Sequence, residues 1–332
     1  MKGVRVVFKA PGVVELEEYN VKSPGPGEVL IETICTLISP GTELAFLYAL
    51  PNTPRKFPMI TGYSNVGLIK EVGKGVSGLE VGQAVVSWSP HASHVVVNEK
   101  KVFSVPENIS LEEASFFALG AISLQGVRKA GIEIGESALV IGLGLVGMLA
   151  AQFLRLSGAV PVIGLDLYEG RLELAKKLGI DYALNPMGVD VEAEVLKLTE
   201  GKGPSLTIEA SGNPEAVNLA FRLTRRLGRV VLLGSSRGET TVNFYRDVHR
   251  KGLHVIGAHV SAVPEVESFR YYWTLRDEIK TFFKLLKMRN LNVKDLISVK
   301  LSFRDAGKAY ELLRREKDRV IGVLLDWTSA RV

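Results

Sequence analysis

The sequence predicts an α/β chain of two domains, a small irregular β-barrel and a doubly wound parallel sheet of six strands. Three observations carry this. Residues 1–120 read as short strands punctuated by Gly and Pro. From about Ala121 strand-like and helix-like runs alternate, the rhythm of crossover units. Within that second part, the apolar run Ala138-Leu-Val-Ile141 leads directly into Gly142-Leu-Gly144-Leu-Val-Gly147 and a helix expected over 145–157.

In the first part, Met1–Phe8 alternates like a strand. Val29–Ile34 follows the turn-rich Ser23-Pro-Gly-Pro-Gly27, and Asn65–Val72 ends at Gly73. Ala84–Trp88 and His94–Val97 complete the set, with a helix expected from about Thr42 to Leu50, stopped by Pro51. In the second part, strands are expected at 138–142, 161–166, 182–184, 206–210, 229–234 and 253–257, with helices at 169–178, 189–199 and 214–226. Asn213 and Pro214 form a cap and first-turn pair for the last of these. Two amphipathic helices, 265–288 and 303–315, and a strand at 320–326 are expected to return the tail to the first domain. The expected domains are 1–120 with 259–332, and 121–258.

The glycine motif has a mechanical reading. Gly142 permits the tight turn, Gly144 lets the backbone approach a pyrophosphate, and Gly147 lets the helix pack on the strand. The helix N-terminus, with Leu143, Leu145 and Val146, would aim N–H groups and its positive dipole end at the phosphates. Asp166 ends the next apolar run, where a carboxylate accepts from a ribose diol and repels a 2′-phosphate. Strand, helix and acid in register point to NAD rather than NADP; the alternative is a glycine turn of purely structural use. Leu167 follows the acid, and Arg171 in the next helix would soften the preference. Ala210 and Ser211 after the fourth strand stand at a strand end, where such sheets bind ligands. Glu209 beside them reads equally as buried and structural.

Composition excludes several classes. The chain has 332 residues, 46% hydrophobic and 23% charged, with formal net charge +5. Its Lys and Arg are scattered among Asp and Glu, so nucleic acid is not an expected partner. The apolar stretch Ala138–Leu154 contains the glycine motif, which argues for buried structure over a membrane span. The N-terminus lacks a signal-peptide pattern, so a cytoplasmic location is expected. Cys35 is the single cysteine, so there is neither an intrachain disulfide nor a Cys-x-x-Cys site.

Ser39-Pro-Gly-Thr-Glu-Leu44, Thr61-Gly-Tyr-Ser-Asn-Val-Gly67, Gly73–Gly82, Val140–Gly147 and Glu209-Ala-Ser-Gly212 together resemble the medium-chain dehydrogenase/reductase superfamily of zinc alcohol dehydrogenases. Gly120–Lys129 is similar to a branch of bacteriochlorophyllide dehydrogenase-like and polysaccharide-biosynthesis oxidoreductases. The resemblance covers essentially the whole chain. It implies a GroES-like catalytic domain, a Rossmann domain, and hydride transfer between nicotinamide and an alcohol/carbonyl pair. It also implies that Gly234, Ser235 and Ser236 lie near the nicotinamide, with His259 after the sixth strand. A homodimer or homotetramer is expected, pairing through the edge near 253–257.

The departures concern the metal. The family's three catalytic zinc ligands fall here at Pro40, Tyr63 and Gly120, and the lobe of four structural cysteines is missing from 87–100. A catalytic zinc needs three protein ligands, so no metal and no zinc are expected. A side chain must then steady the developing alkoxide that the ion would otherwise hold. The resemblance puts Thr42 at the proton-relay position, Tyr63 in place of the ligand His, and Ser39 one residue before the lost Cys. Tyr63 reads alternatively as an aromatic filler, and Ser39 and Thr42 as turn or cap residues. Tyr48, Trp88 and Phe117 are candidates for a substrate wall, with core packing the other reading of each. His91 and His94, three apart, lack a third ligand and are expected to flank the cleft rather than bind metal. His249 and His254 read as structural or surface residues. The expected activity is a zinc-independent, NAD-preferring oxidoreductase. The alternatives are an NADPH-linked quinone or enone reductase and a non-catalytic NAD(H)-binding redox sensor.

Overall fold

A computed structural model describes residues 1–330; the last two positions of the expected tail, Arg331 and Val332, lie outside the described residues. Two compact units emerge. The first comprises Met1–Ala118, Phe283–Arg289 and the chain from Val293 onward; the second comprises Leu119–Phe282 and Asn290–Asn292.

The first unit holds two sheets. Lys2–Ala10 pairs antiparallel with both Val13–Asn20 and Met59–Ile60. The larger sheet runs in the order Ile297–Ser302, Gly322–Asp326, Glu28–Leu37, Asn65–Val72, Ala84–Ser87, Val102–Ser104, with His94–Asn98 also pairing on Glu28–Leu37. Its alternating apolar positions bury Val29, Ile31, Ile69 and Val85 in one cluster. A second cluster joins Val6, Phe8 and Leu47 to Tyr310, Val323 and Trp327, so the C-terminal segment is part of this core. Trp327, fully buried, stacks on Phe303 at 4.6 Å and donates its Nε1–H to Thr36 Oγ1 at 3.0 Å. That bond satisfies the one polar atom the indole brings inside.

The second unit is the expected doubly wound sheet. All six strands are parallel, in the order Tyr182–Leu184, Val162–Leu165, Ala138–Ile141, Leu206–Glu209, Arg229–Leu232, His254–Gly257. Chain order reverses between the third and fourth of these, which places a ligand crevice at their carboxyl ends. The helices Leu145–Leu156, Glu169–Lys177, Val191–Leu198 and Pro214–Leu223 are shorter than expected by one to three residues at their ends.

Four expectations need correction. The helix expected from Thr42 begins at Pro40 and ends at Leu47, because Pro suits a first helical turn. The helix expected over 265–288 is only Leu275–Lys287. Before it, Thr274 N–H donates to Ser268 Oγ and Asp277 N–H to Thr274 Oγ1, hydroxyl caps that compete with helix. The last helix is Ala306–Arg315, preceded by a 3₁₀ turn at Phe303–Asp305. The division at 259 moves to 282: Glu278, fully buried, holds Arg128 through two hydrogen bonds of 2.7 and 3.0 Å, and Arg128 covers the Trp273 ring at 3.4 Å. Elements with no counterpart in the expectations include the strands Val13–Asn20, Val102–Ser104 and Ile297–Ser302 and the helix Phe117–Ala130.

Candidate active site

In the second unit Gly142 and Gly147 sit where a larger residue would collide with the backbone. Gly142 has φ +92°, and a Cβ there would sit 2.7 Å from the Ser211 backbone. A Cβ at Gly147 would stand 1.8 Å from the Gly142 carbonyl oxygen, so only glycine lets this helix start against the turn. A Cβ at Gly144 would meet nothing within 4 Å. Gly144 is the N-cap of Leu145–Leu156 and supplies no side-chain cap. The first-turn N–H groups therefore lack intrahelical acceptors and face the open side, a cradle suited to a pyrophosphate.

Asp166 follows the strand Val162–Leu165. Its Oδ2 accepts from Leu143 N–H at 2.7 Å and its Oδ1 from Tyr168 N–H at 3.1 Å. Arg171 approaches the same carboxylate at 3.5 Å and lies over the Tyr168 ring, while Leu167 is exposed beside them. One acid thus ties the glycine turn to the neighbouring strand end. Ala210 N–H donates to Ile141 O, and Gly234 N–H to Glu209 O, which brings the third, fourth and fifth strand ends together. Ser235 is exposed and Ser236 half-buried on that rim. Glu209 is fully buried; its Oε1 takes Ser211 N–H, Ser211 Oγ–H and Gly212 N–H, and burial pushes its carboxyl above the ordinary range. Its role is to shape the turn on which Gly142 packs.

The first unit gathers the expected hydroxyl residues. Tyr63 Oη–H donates to Ser39 Oγ at 2.5 Å. The Tyr63 ring stacks on Trp88 at 5.5 Å with planes 12° apart, and Trp88 meets Phe117 edge-on at 5.8 Å. Ser39, Tyr63, Trp88 and Phe117 thus form one constellation. Ser39 is the N-cap of Pro40–Leu47 yet makes no side-chain cap bond, and Thr42 lies half-buried in that helix's first turn.

The remaining substrate candidates are placed otherwise. His91 is fully buried, with Nε2 2.8 Å from Glu43 Oε2, so it has no open face for a substrate. His94 is buried against Ser93, its Nδ1 3.1 Å from Ser93 Oγ, and burial depresses its imidazole pKa. Tyr48 accepts from Arg314 at 3.2 Å, with that guanidinium 4.5 Å over its ring, and packs on the core. All three are held in hydrogen bonds and packing within the first unit. His259 is exposed after the sixth strand, its Nδ1 held by Ser261.

Sequence reasoning missed Glu43, fully enclosed, whose carboxylate takes Ser39 N–H at 2.7 Å, Tyr310 Oη–H at 2.5 Å and Thr61 Oγ1–H at 3.2 Å besides His91. Tyr310 lies 267 positions away in sequence, beyond the reach of any local spacing signal.

A zinc ion does not fit the three corresponding positions. Pro40 has no donor atom. Tyr63 spends its hydroxyl proton on Ser39. At Gly120, any Cβ would fall 2.3 Å from the Phe282 ring, which fills the space a ligand side chain would need. Among the described residues no group of three His, Cys, Asp or Glu is placed to hold a metal ion. Among them, too, no helix is long and apolar enough to cross a membrane.

Residues 25–120 match the alcohol dehydrogenase GroES-like domain family and residues 146–276 the zinc-binding dehydrogenase family. The chain is 32% identical to an L-threonine 3-dehydrogenase of Pyrococcus horikoshii, over 95% of this chain and 97% of that one. Two solved structures from Escherichia coli share the fold. A short chain alcohol dehydrogenase complexed with cofactor NADH has TM-score 0.85 at 20% identity, covering 98% and 99% of the two chains. A galactitol-1-phosphate dehydrogenase has TM-score 0.84 at 23% identity, covering 97% and 99%.

Proposed function

Because this chain belongs to the medium-chain, zinc-type alcohol dehydrogenase superfamily, we propose that it is an oxidoreductase that interconverts an alcohol and a carbonyl with NAD(H) and without zinc. The observation that carries the second half is the Tyr63–Ser39 hydroxyl pair at the position of a metal ligand. The glycine turn is suited to a nicotinamide dinucleotide, and Asp166 at the end of the next strand, where a carboxylate would accept from the ribose diol, supports NAD over NADP. Bound there, the reduced cofactor supplies the hydride.

The side chains handle the rest. As hydride forms the new C–H bond, the carbonyl π pair becomes a developing alkoxide. Tyr63 Oη–H turns from Ser39 to that oxygen and gives up its proton, and the phenolate recovers a proton from Ser39 Oγ–H, which solvent replenishes. Such a donor strengthens its bond only as charge develops, which is where catalysis gains. Trp88 and Phe117 hold the phenol ring in place. Thr42, one turn along the same helix, serves the relay to solvent.

A panel of carbonyl compounds and quinones, assayed with NADH and NADPH after exhaustive chelation, tests the reading. Carbonyl reduction with NADH in protein free of stoichiometric zinc supports it. Activity that follows added zinc overturns the metal-free half, and quinone turnover with NADPH favours the rival that Arg171, beside Asp166, would serve. Cofactor binding with no turnover on the panel would point to a redox sensor. The exposed edge strand His254–Gly257, with Val255 41% exposed, suits pairing with a second copy; a strict monomer by light scattering refutes that. The protein is proposed to act in the cytoplasm.

A further inference from the structure

We propose that Glu43 is a positioning residue, whose buried carboxylate fixes the two backbone segments that carry Ser39 and Tyr63 and so sets their hydroxyl pair. This rests on the reading that the pair handles the proton, and it extends that reading to a residue that never touches substrate.

An N-cap serine ordinarily spends its hydroxyl on the N–H groups of the first helical turn. Ser39 does not. Glu43 reaches back with Oε1 to the Ser39 N–H, which fixes the residue through its backbone and leaves its Oγ for Tyr63. On the other side, Oε2 binds His91 Nε2 and Thr61 Oγ1–H. His91 in turn donates its backbone N–H to Thr61 O at 2.9 Å, and its ring lies where a Cβ on Gly62 would be, 2.5 Å from Cδ2. Gly62, at φ +94°, is the residue immediately before Tyr63. One carboxylate therefore grips the backbone of Ser39 itself and the chain two residues before Tyr63.

Tyr310 completes the clamp. Burial, reinforced by the Glu43 charge, holds its phenol well above the usual range, so it stays protonated and donates to Glu43. Four donors converge on a carboxylate sealed from solvent, a buried hydrogen-bond network that rigidifies its members. Because the Glu43 carboxylate can only accept, His91 bonds it through an Nε2 proton, while Nδ1 is buried without a partner.

Near-ultraviolet circular dichroism reads the positioning without any substrate. The band lost from both Tyr63→Phe and Trp88→Phe belongs to the stacked pair. In folded Glu43→Gln, whose amide cannot accept from all the donors, most of that band should vanish. The kcat for carbonyl reduction should fall by about tenfold or more, as for a displaced catalytic group, while the cofactor KM is unchanged. Thr61→Val, nearly isosteric, should shift both readouts in the same direction by less, and it decides the matter if Glu43→Gln does not fold. A folded Glu43→Gln that keeps the band, or loses the band yet keeps kcat, overturns the proposal. So does an unaltered Thr61→Val where the other variant is unfolded. If the native enzyme turns over no carbonyl, the reading of function falls while the band still decides what Glu43 positions.

Discussion

The cofactor cradle and the hydroxyl site are built in opposite ways. The cradle is backbone: Gly142, Gly144 and Gly147 matter for what they lack, and their spacing along one turn is the site. The hydroxyl site is side chain, drawn from Ser39, Tyr63, Trp88 and Phe117 on separate segments and steadied by Glu43 and Tyr310. A site made of backbone imposes steric demands that only one residue type meets. A site made of side chains can change its chemistry one residue at a time while its frame stays.

The comparison implies that damage to each site should be separable. The largest effect is expected from Tyr63→Phe, which keeps the ring on Trp88 and removes the proton: kcat should fall by about 10²–10⁴-fold, with NADH affinity intact by fluorescence titration. A native rate would make Tyr63 a filler. Gly147→Ala should do the reverse in binding, because its methyl would overlap the Gly142 carbonyl. Overpacking of this severity costs about 3 kcal/mol of stability, and the displaced turn should weaken NADH binding measurably; unaltered affinity in folded protein would break the backbone account of the cradle. Asp166→Ser should narrow the NADH-over-NADPH margin by about 1–3 kcal/mol, and it removes the acceptor of Leu143 N–H. Equal affinities in the native protein would refute the preference itself.

The smallest effect concerns His94. Burial lowers its folded pKa, so the ring contributes stability in full above the ordinary imidazole value of about 6.5, and that contribution is lost as pH falls below it. The melting temperature should therefore drop between neutral and mildly acidic pH, and His94→Gln should reduce that drop by about 1–3 °C. An unchanged acid dependence would show that His94 is not the titrating group.

The same contrast explains what could be read in advance. The four central parallel strands were legible because buried strands are continuous apolar runs closed by glycine or an acid, while the more exposed edge strands Tyr182–Leu184 and His254–Gly257 were legible from the alternating rhythm of the crossover units. Asp166 was legible because it falls at a fixed place in a crossover unit. Tyr63 and Ser39 could be singled out only through the family resemblance, since nothing local marks a tyrosine after a glycine as a donor. His91 and His94 were read as flanking the cleft, and the sequence could not show that each is buried against its own partner, Glu43 and Ser93. Residues 259–282 misled for a related reason: the Arg128–Glu278 pair that ties them to the second unit spans 150 positions. Glu43 left no trace, because an acid in a first helical turn has the ordinary explanation of the helix dipole.

The Phe282 ring against Gly120 bears on history as well as chemistry. Were Gly120 only an empty position, a single codon change to cysteine would begin to rebuild a ligand set. With the ring in place, that first step introduces a collision before it offers any sulfur. Recovery would need a smaller residue at 282 first, then a donor at 120, with Pro40 and Tyr63 replaced besides, and each intermediate would forfeit packing or the phenol with no metal in return. Under the metal-free chemistry proposed above, this packing acts as a ratchet: no single substitution in the present chain supplies a ligand set without first losing a contact.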